Sequence, residues 1–213
     1  MSSGPPGRFI DISQWKRRDH YALYRALAQP FWGLTAEVDV TYVWDAAARD
    51  GRSFFLASSY AALGALNATE AFRLRLRPDG VWCHDTIGLS PTVMRHNETF
   101  GFARLLPAAT FAEFETHGLA VVEEAKHQTA LEVDPDDAVV YSSVIPWVRF
   151  TSFTNPVDPP HDSVPRLVFG KVSLDGSIRR MPVGVEVHHA LVDGLDVGRF
   201  FERFQKALAR PLW

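Results

Sequence analysis

The feature that most constrains this chain is a strand that runs into a helix through a polar hinge. Val183, Val185 and Val187 share one face because successive strand side chains alternate. His188-His189-Ala190-Leu191-Val192-Asp193-Gly194 follows at once. Beyond it, Val197, Phe200, Phe201, Phe204 and Leu208 recur at helical spacing, and Asp193-Gly194 suits the start of that helix. If the strand continues past Val187, His189 joins the valine face and His188 joins Glu186 on the other. A neutral imidazole there is a candidate general base, since its reference pKa is about 6.5. The competing reading is a histidine satisfied by backbone, with Asp193 only capping the helix. Neighbouring strand residues point to opposite faces, so the two histidines cannot share one ion and no metal site is expected.

The rest of the chain mixes both kinds of element. Phe72, Leu74 and Leu76 alternate with Arg73, Arg75 and Arg77, and Pro78-Asp79-Gly80 turns them back into Val81–His84, a hairpin. The three arginines read as a solvated strand face rather than a phosphate-binding row. Further strands are expected over Phe9–Ser13, Val38–Tyr42, Val139–Val148, Arg166–Leu174 and Pro182–His188. Helices are expected over about Arg17–Gln29, Phe54–Ala68 and Thr110–Leu131, the last broken by Asp134-Pro135-Asp136-Asp137. Four prolines, Pro156, Pro159, Pro160 and Pro165, make 155–165 a loop or crossover. There is no strict βαβ rhythm, so the expected class is α+β, a sandwich with a mixed sheet. No boundary divides the chain, so residues 1–213 read as one domain, with 1–8 disordered.

Charge and composition narrow the function classes. Lys plus Arg number 22 against 25 Asp plus Glu, a net charge of −3, which argues against a general nucleic-acid binder or an anionic membrane surface. No apolar run is long enough for a membrane span, and the start lacks a secretory apolar stretch. One cysteine, Cys83, leaves no intrachain disulfide and fits a reducing compartment, so a cytoplasmic location is expected.

Several blocks resemble, in order, the chloramphenicol acetyltransferase family of coenzyme A-dependent acyltransferases over nearly the whole length. They are Phe9-Ile10-Asp11-Ile12-Ser13-Gln14-Trp15-Lys16-Arg17-Arg18-Asp19-His20-Tyr21, Asn97-Glu98-Thr99-Phe100, Ser143-Val144-Ile145-Pro146-Trp147-Val148-Arg149-Phe150-Thr151-Ser152-Phe153, and His188-His189-Ala190-Leu191-Val192-Asp193-Gly194 with Val197-Gly198-Arg199-Phe200. The resemblance implies a two-layer α/β sandwich that assembles as a homotrimer with active sites at subunit interfaces. It implies acetyl transfer from acetyl-CoA, a cosubstrate, to a hydroxyl of chloramphenicol, without an acyl-enzyme and without a metal, giving antibiotic resistance. His189 then matches the general base and Ser143 the hydroxyl that stabilises the oxyanion. Arg17 and Asp193 match a structural ion pair rather than proton carriers. Tyr24, Trp32, Phe100 and Phe153 match the acceptor pocket, and Lys171 a lysine near the coenzyme A phosphate.

The chain also departs from the family pattern. Val168 stands where a threonine is usual, and Ser53 where a second coenzyme A-contacting lysine is common, with Arg52 beside it. Asn155 replaces an apolar residue, Trp32 a smaller aromatic, and Asp196 a histidine. These leave the transfer machinery intact and bear on the acceptor. The alternatives are an acetyltransferase of this fold acting on another hydroxyl or amine, a lipoamide-type acyltransferase, and a non-catalytic trimeric binding protein.

Overall fold

A computed structural model describes residues 6–131, 133, 135–158 and 162–213. Asp134, Pro159 and Pro160, which entered the reading of the loops, lie outside the described residues, as do residues 1–5. Ten strands are present: β1 (Gly7–Phe9), β2 (Phe31–Asp39), β3 (Leu74–Arg77), β4 (Gly80–His84), β5 (Gly88–Met94), β6 (Phe100–Phe102), β7 (Val139–Ile145), β8 (Arg166–Gly170), β9 (Ser173–Asp175) and β10 (Ile178–His188). The helices are α1 (Arg18–Tyr24), α2 (Thr41–Asp50), α3 (Phe54–Asn67), α4 (Phe111–His127) and α5 (Gly194–Leu208).

The main sheet has the order β2-β10-β8-β7-β5-β6, with β9 paired to β10. The β7 strand lies parallel to both β8 and β5, whereas β10 is antiparallel to β2 and β8. The sheet is therefore mixed, as expected, and the fold is the α+β sandwich. Its helix-facing side carries Val183, Val185 and Phe169, with Phe204 of α5 lying 6.3 Å from Phe169 ring to ring. Phe72, Phe200 and Phe204 continue this core at centroid distances of 5.4 and 5.6 Å. The opposite side is covered at Gly184, where an added Cβ would come within 3.6 Å of Phe150 and 3.8 Å of Phe153.

Boundaries differ from expectation where short polar side chains redirect the backbone. The first strand is Gly7–Phe9 rather than Phe9–Ser13, and Asp11 Oδ1 accepts from the Ser13 amide at 2.9 Å, bending the chain away. Strand β2 occupies Phe31–Asp39 and does not reach Tyr42, because Asp39 Oδ1 accepts from the Thr41 amide at 2.9 Å and α2 starts there. Helix α1 stops at Tyr24, earlier than Gln29.

The arginine row is neither solvated nor a phosphate site. Arg75 is wholly buried and donates to the carbonyls of Asp137, Phe72, Leu74 and Val139 at 2.8, 3.0, 2.6 and 2.5 Å. Arg73 donates to the carbonyl of His84 at 2.7 Å, and Arg77 forks onto Asp137 at 2.5 and 2.8 Å. These bonds tie the small β1-β4-β3 sheet to the beginning of β7. Alternation located the strand correctly but says nothing about which sides of a two-sided sheet are covered.

Candidate active site

Strand β10 ends at His188, so the alternation does not extend to His189. The Leu191 and Val192 amides both donate to the His188 carbonyl, at 3.0 and 3.1 Å, and close a turn that sets the two histidines in different surroundings. His188 is buried against Phe31, ring to ring at 5.2 Å, and its Nδ1 accepts from the Ala190 amide at 3.2 Å. Burial pushes this imidazole down to about 4, against a partial upward pull from Asp162, so His188 is neutral at pH 7.

His189 is half-buried, with Tyr24 stacked on it at 3.9 Å and Trp32 tilted against it at 5.4 Å. Its amide donates to the Pro30 carbonyl at 2.9 Å, and its Nδ1 lies 3.2 Å from the Val192 carbonyl oxygen. A carbonyl only accepts, so Nδ1 is the donor, and in the neutral ring the lone pair lies on Nε2. The same Val192 oxygen accepts from Trp32 Nε1 at 3.2 Å, which fixes the indole beside the imidazole.

Arg17, with only 8% of its side chain exposed, ties this corner together. One guanidinium nitrogen pairs with Asp193, and another donates to the His189 carbonyl at 2.9 Å. Asp193 also caps α5 by accepting from the Leu195 and Asp196 amides, and Asp196 Oδ2 accepts in return from the Asp193 amide, which completes a capping box. Burial would raise the Asp193 carboxyl, but the Arg17 charge and the backbone donors outweigh it and hold it below the usual carboxylate range. Burial lifts Asp196 instead. The departure at Asp196 thus supplies the second half of a cap.

Ser143 is not brought to His189 within one chain. Strand register puts Ser143, Val168, Gly184 and Thr35 in one row across the sheet. Gly184 precedes His189 by five positions and lies two strands from Ser143, which separates Ser143 from His189 by roughly 19 Å at usual strand rise and spacing. Phe153 lies over that same row at Gly184, and Phe100 is exposed on β6 at the far edge of the sheet from β2. Of the residues matched to the acceptor pocket, only Tyr24 and Trp32 gather around His189 in one chain.

Lys171 lies in the link between β8 and β9, exposed, beside a cleft of about 430 Å³ lined mainly by apolar groups including Phe54, Phe55, Val144 and Met181. Ser53, a neutral hydroxyl, caps α3 by accepting from the Leu56 amide at 3.3 Å, and the cation beside it, Arg52, is committed to Glu115 at 2.5 Å. Asn155 donates to Glu186 from its side chain at 2.9 Å and its backbone at 3.0 Å, which satisfies a buried carboxylate. Sequence reasoning missed the carbonyls of Pro30 and Val192, which position His189 through backbone atoms and leave no residue-type signature.

Comparison with known proteins places the whole chain in a family. The family model described as chloramphenicol acetyltransferase matches residues 8–205. A chloramphenicol acetyltransferase of Streptomyces acrimycini is 31% identical over 96% of this chain and 95% of its own, and chloramphenicol acetyltransferase 2 of Escherichia coli is 31% identical over 92% and 94%. A solved chloramphenicol acetyltransferase superposes with a TM-score of 0.85 at 26% identity, covering 95% of this chain and 99% of its own. The dihydrolipoamide acetyltransferase of Azotobacter vinelandii shares the fold alone, with a TM-score of 0.65 at 17% identity over 98% and 91%. With a match that takes in the Arg17 corner, the Ser143 strand and the His189 turn together, the chain belongs to the chloramphenicol acetyltransferase family.

Proposed function

We propose that the protein transfers the acetyl group of acetyl-CoA to a hydroxyl of chloramphenicol, with His189 as general base. The observation that carries this reading is the fixed orientation of His189: Nδ1 is held on the Val192 carbonyl, and the imidazole packs against the rings of Tyr24 and Trp32. Nε2 takes the hydroxyl proton as the acceptor oxygen bonds to the thioester carbon. The C–S bond then breaks, and the proton passes to the departing thiolate. A base so placed is worth about 10²–10⁴-fold. Ser143 donates a hydrogen bond to the oxyanion that forms on the thioester carbon. Arg17 and Asp193 hold the histidine's backbone and move no proton.

The cleft at Lys171 suits coenzyme A, with apolar walls for the pantetheine arm and one cation for a phosphate. Since Ser143, Phe100 and Phe153 lie far from His189 in one chain, the complete site takes His189, Tyr24 and Trp32 from one subunit and the remaining residues from the next, in a homotrimer. A cytoplasmic location and antibiotic resistance follow from this reading. Among the described residues no helix is long and apolar enough to cross a membrane.

One observation favours a different hydroxylated acceptor: Trp32 is locked by its bond to Val192 and narrows the space beside His189. Free thiol release from acetyl-CoA, followed with and without chloramphenicol for wild type and His189→Ala, decides between them. Release that needs the drug and vanishes in the variant supports the proposal. Release only with another alcohol replaces chloramphenicol as the acceptor, and none with any acceptor favours a binding protein.

A further inference from the structure

The opposite end of α5 from His189 borders a second concavity, separate from the Lys171 cleft. It has a volume of about 590 Å³, within the range of about 300–1,000 Å³ typical of small-molecule sites. Its floor is one stripe of α3 and its C-cap, Ala61, Gly64, Ala65 and Ala68, spaced at i, i+3, i+4 and i+7. Pro107 and Ala108 form one wall. The facing wall comes from the end of α5 and the residues just past it, and carries Arg203, Lys206 and Arg210 at i, i+3 and i+7. Lys206 is paired with Glu202 at 2.6 Å. Arg203 donates to the hydroxyl of Thr69 at 2.8 Å and its charge also acts on Glu202, but neither it nor Arg210 forms a contact ion pair among the described residues.

An apolar floor beneath cations on one side recognises a molecule with the same asymmetry. We infer that this groove between α3 and α5 binds an amphipathic organic anion, a soluble long-chain carboxylate whose chain lies on the Ala61–Ala68 floor and whose head meets Arg203 and Arg210. The concave floor suits a single such molecule rather than a flat bilayer. This site would be distinct from those for acetyl-CoA and the acceptor, and does not depend on the reaction proposed above.

Gly64 makes a clean test. It is helical and exposed, and a Cβ placed there meets nothing within 4 Å, so a larger side chain enters the groove without disturbing the core. Binding of dodecanoate below its micelle threshold is measured by titration calorimetry, beside acetate and dodecyltrimethylammonium. The expected result is one saturable site for dodecanoate and none for the other two. Its affinity should fall at least tenfold in Gly64→Leu and in the Arg203→Gln/Arg210→Gln pair, with no displacement by coenzyme A. Circular dichroism confirms that both variants fold, and the arginine pair carries the test if Gly64→Leu does not. The inference is overturned by no saturable binding, by equal affinity in the folded variants, by equal binding of the cationic amphiphile, or by displacement with coenzyme A, which would locate the ligand at Lys171.

Discussion

The Tyr24 ring lies parallel to the His189 imidazole, 3.9 Å away and inclined by only 19°. With Nδ1 fixed from behind by Val192, this leaves the imidazole little freedom to rotate. In the role of base proposed for it, His189 has its orientation set before substrate arrives, which is where positioning contributes to rate.

His189→Ala should reduce turnover by at least about 10²–10⁴-fold, and Ser143→Ala by about 10²–10³-fold with little change in KM. Thiol-release kinetics check both. Mixing the two variants after joint refolding should restore activity to about a quarter of the sites if each site draws on two subunits, because one neighbour then supplies an intact His189 and the other an intact Ser143. Two dead variants that stay dead when co-assembled would contradict a shared site.

Arg17→Ala removes the partner of Asp193 and the donor to the His189 carbonyl together. The Asp193 side chain is 38% exposed and keeps its backbone donors, so the pair itself should contribute only about 1 kcal/mol in a double-mutant cycle with Asp193→Asn. Activity should fall more than stability does, since the histidine backbone loses its anchor. Urea midpoints and turnover, measured on the same preparations, separate the two effects.

His188 gives a pH dependence with a defined sign. Its folded value is about 4, against about 6.5 in the unfolded chain, so the unfolded state binds more protons between those values. The contribution to stability is complete above about pH 6.5 and is lost as pH falls toward 4, by up to about 3 kcal/mol. Urea midpoints should therefore drop from pH 7 to pH 5 in wild type and change much less in His188→Gln. An unchanged wild-type midpoint would count against a buried neutral His188.

Arg75→Met should lower stability by about 3–5 kcal/mol, because four backbone carbonyls lose a buried, charged donor at once. Thermal unfolding would reveal it as a large shift, whereas a solvated arginine would leave the transition almost unchanged.

Much of the molecule was legible in its residues. The hairpin at Pro78-Asp79-Gly80, helix α3 and the amphipathic α5 all stand close to where periodicity placed them. The motif blocks led to the family and to the Arg17–Asp193 pair, which the structure contains. What could not be read depends on long-range packing or on backbone atoms. Arg75 is buried because Asp137 and the first residue of β7, Val139, arrive from 62 and 64 positions away to offer carbonyls, which local alternation does not encode. His189 leaves the strand because His188 closes a turn, and its orientation comes from Pro30 and Val192 oxygens that any residue could carry.

The double duty of Asp193 has a consequence for behaviour under heat. One carboxylate both starts α5 and receives Arg17, and Arg17 in turn holds the carbonyl of His189. Fraying of a single helical turn would thus slacken the corner that holds His189 while the sheet and its phenylalanine core stayed intact. Warmed gradually, such a protein should fall silent some degrees before it melts and recover on cooling, so that loss of activity reports the first turn of α5 rather than the fate of the fold.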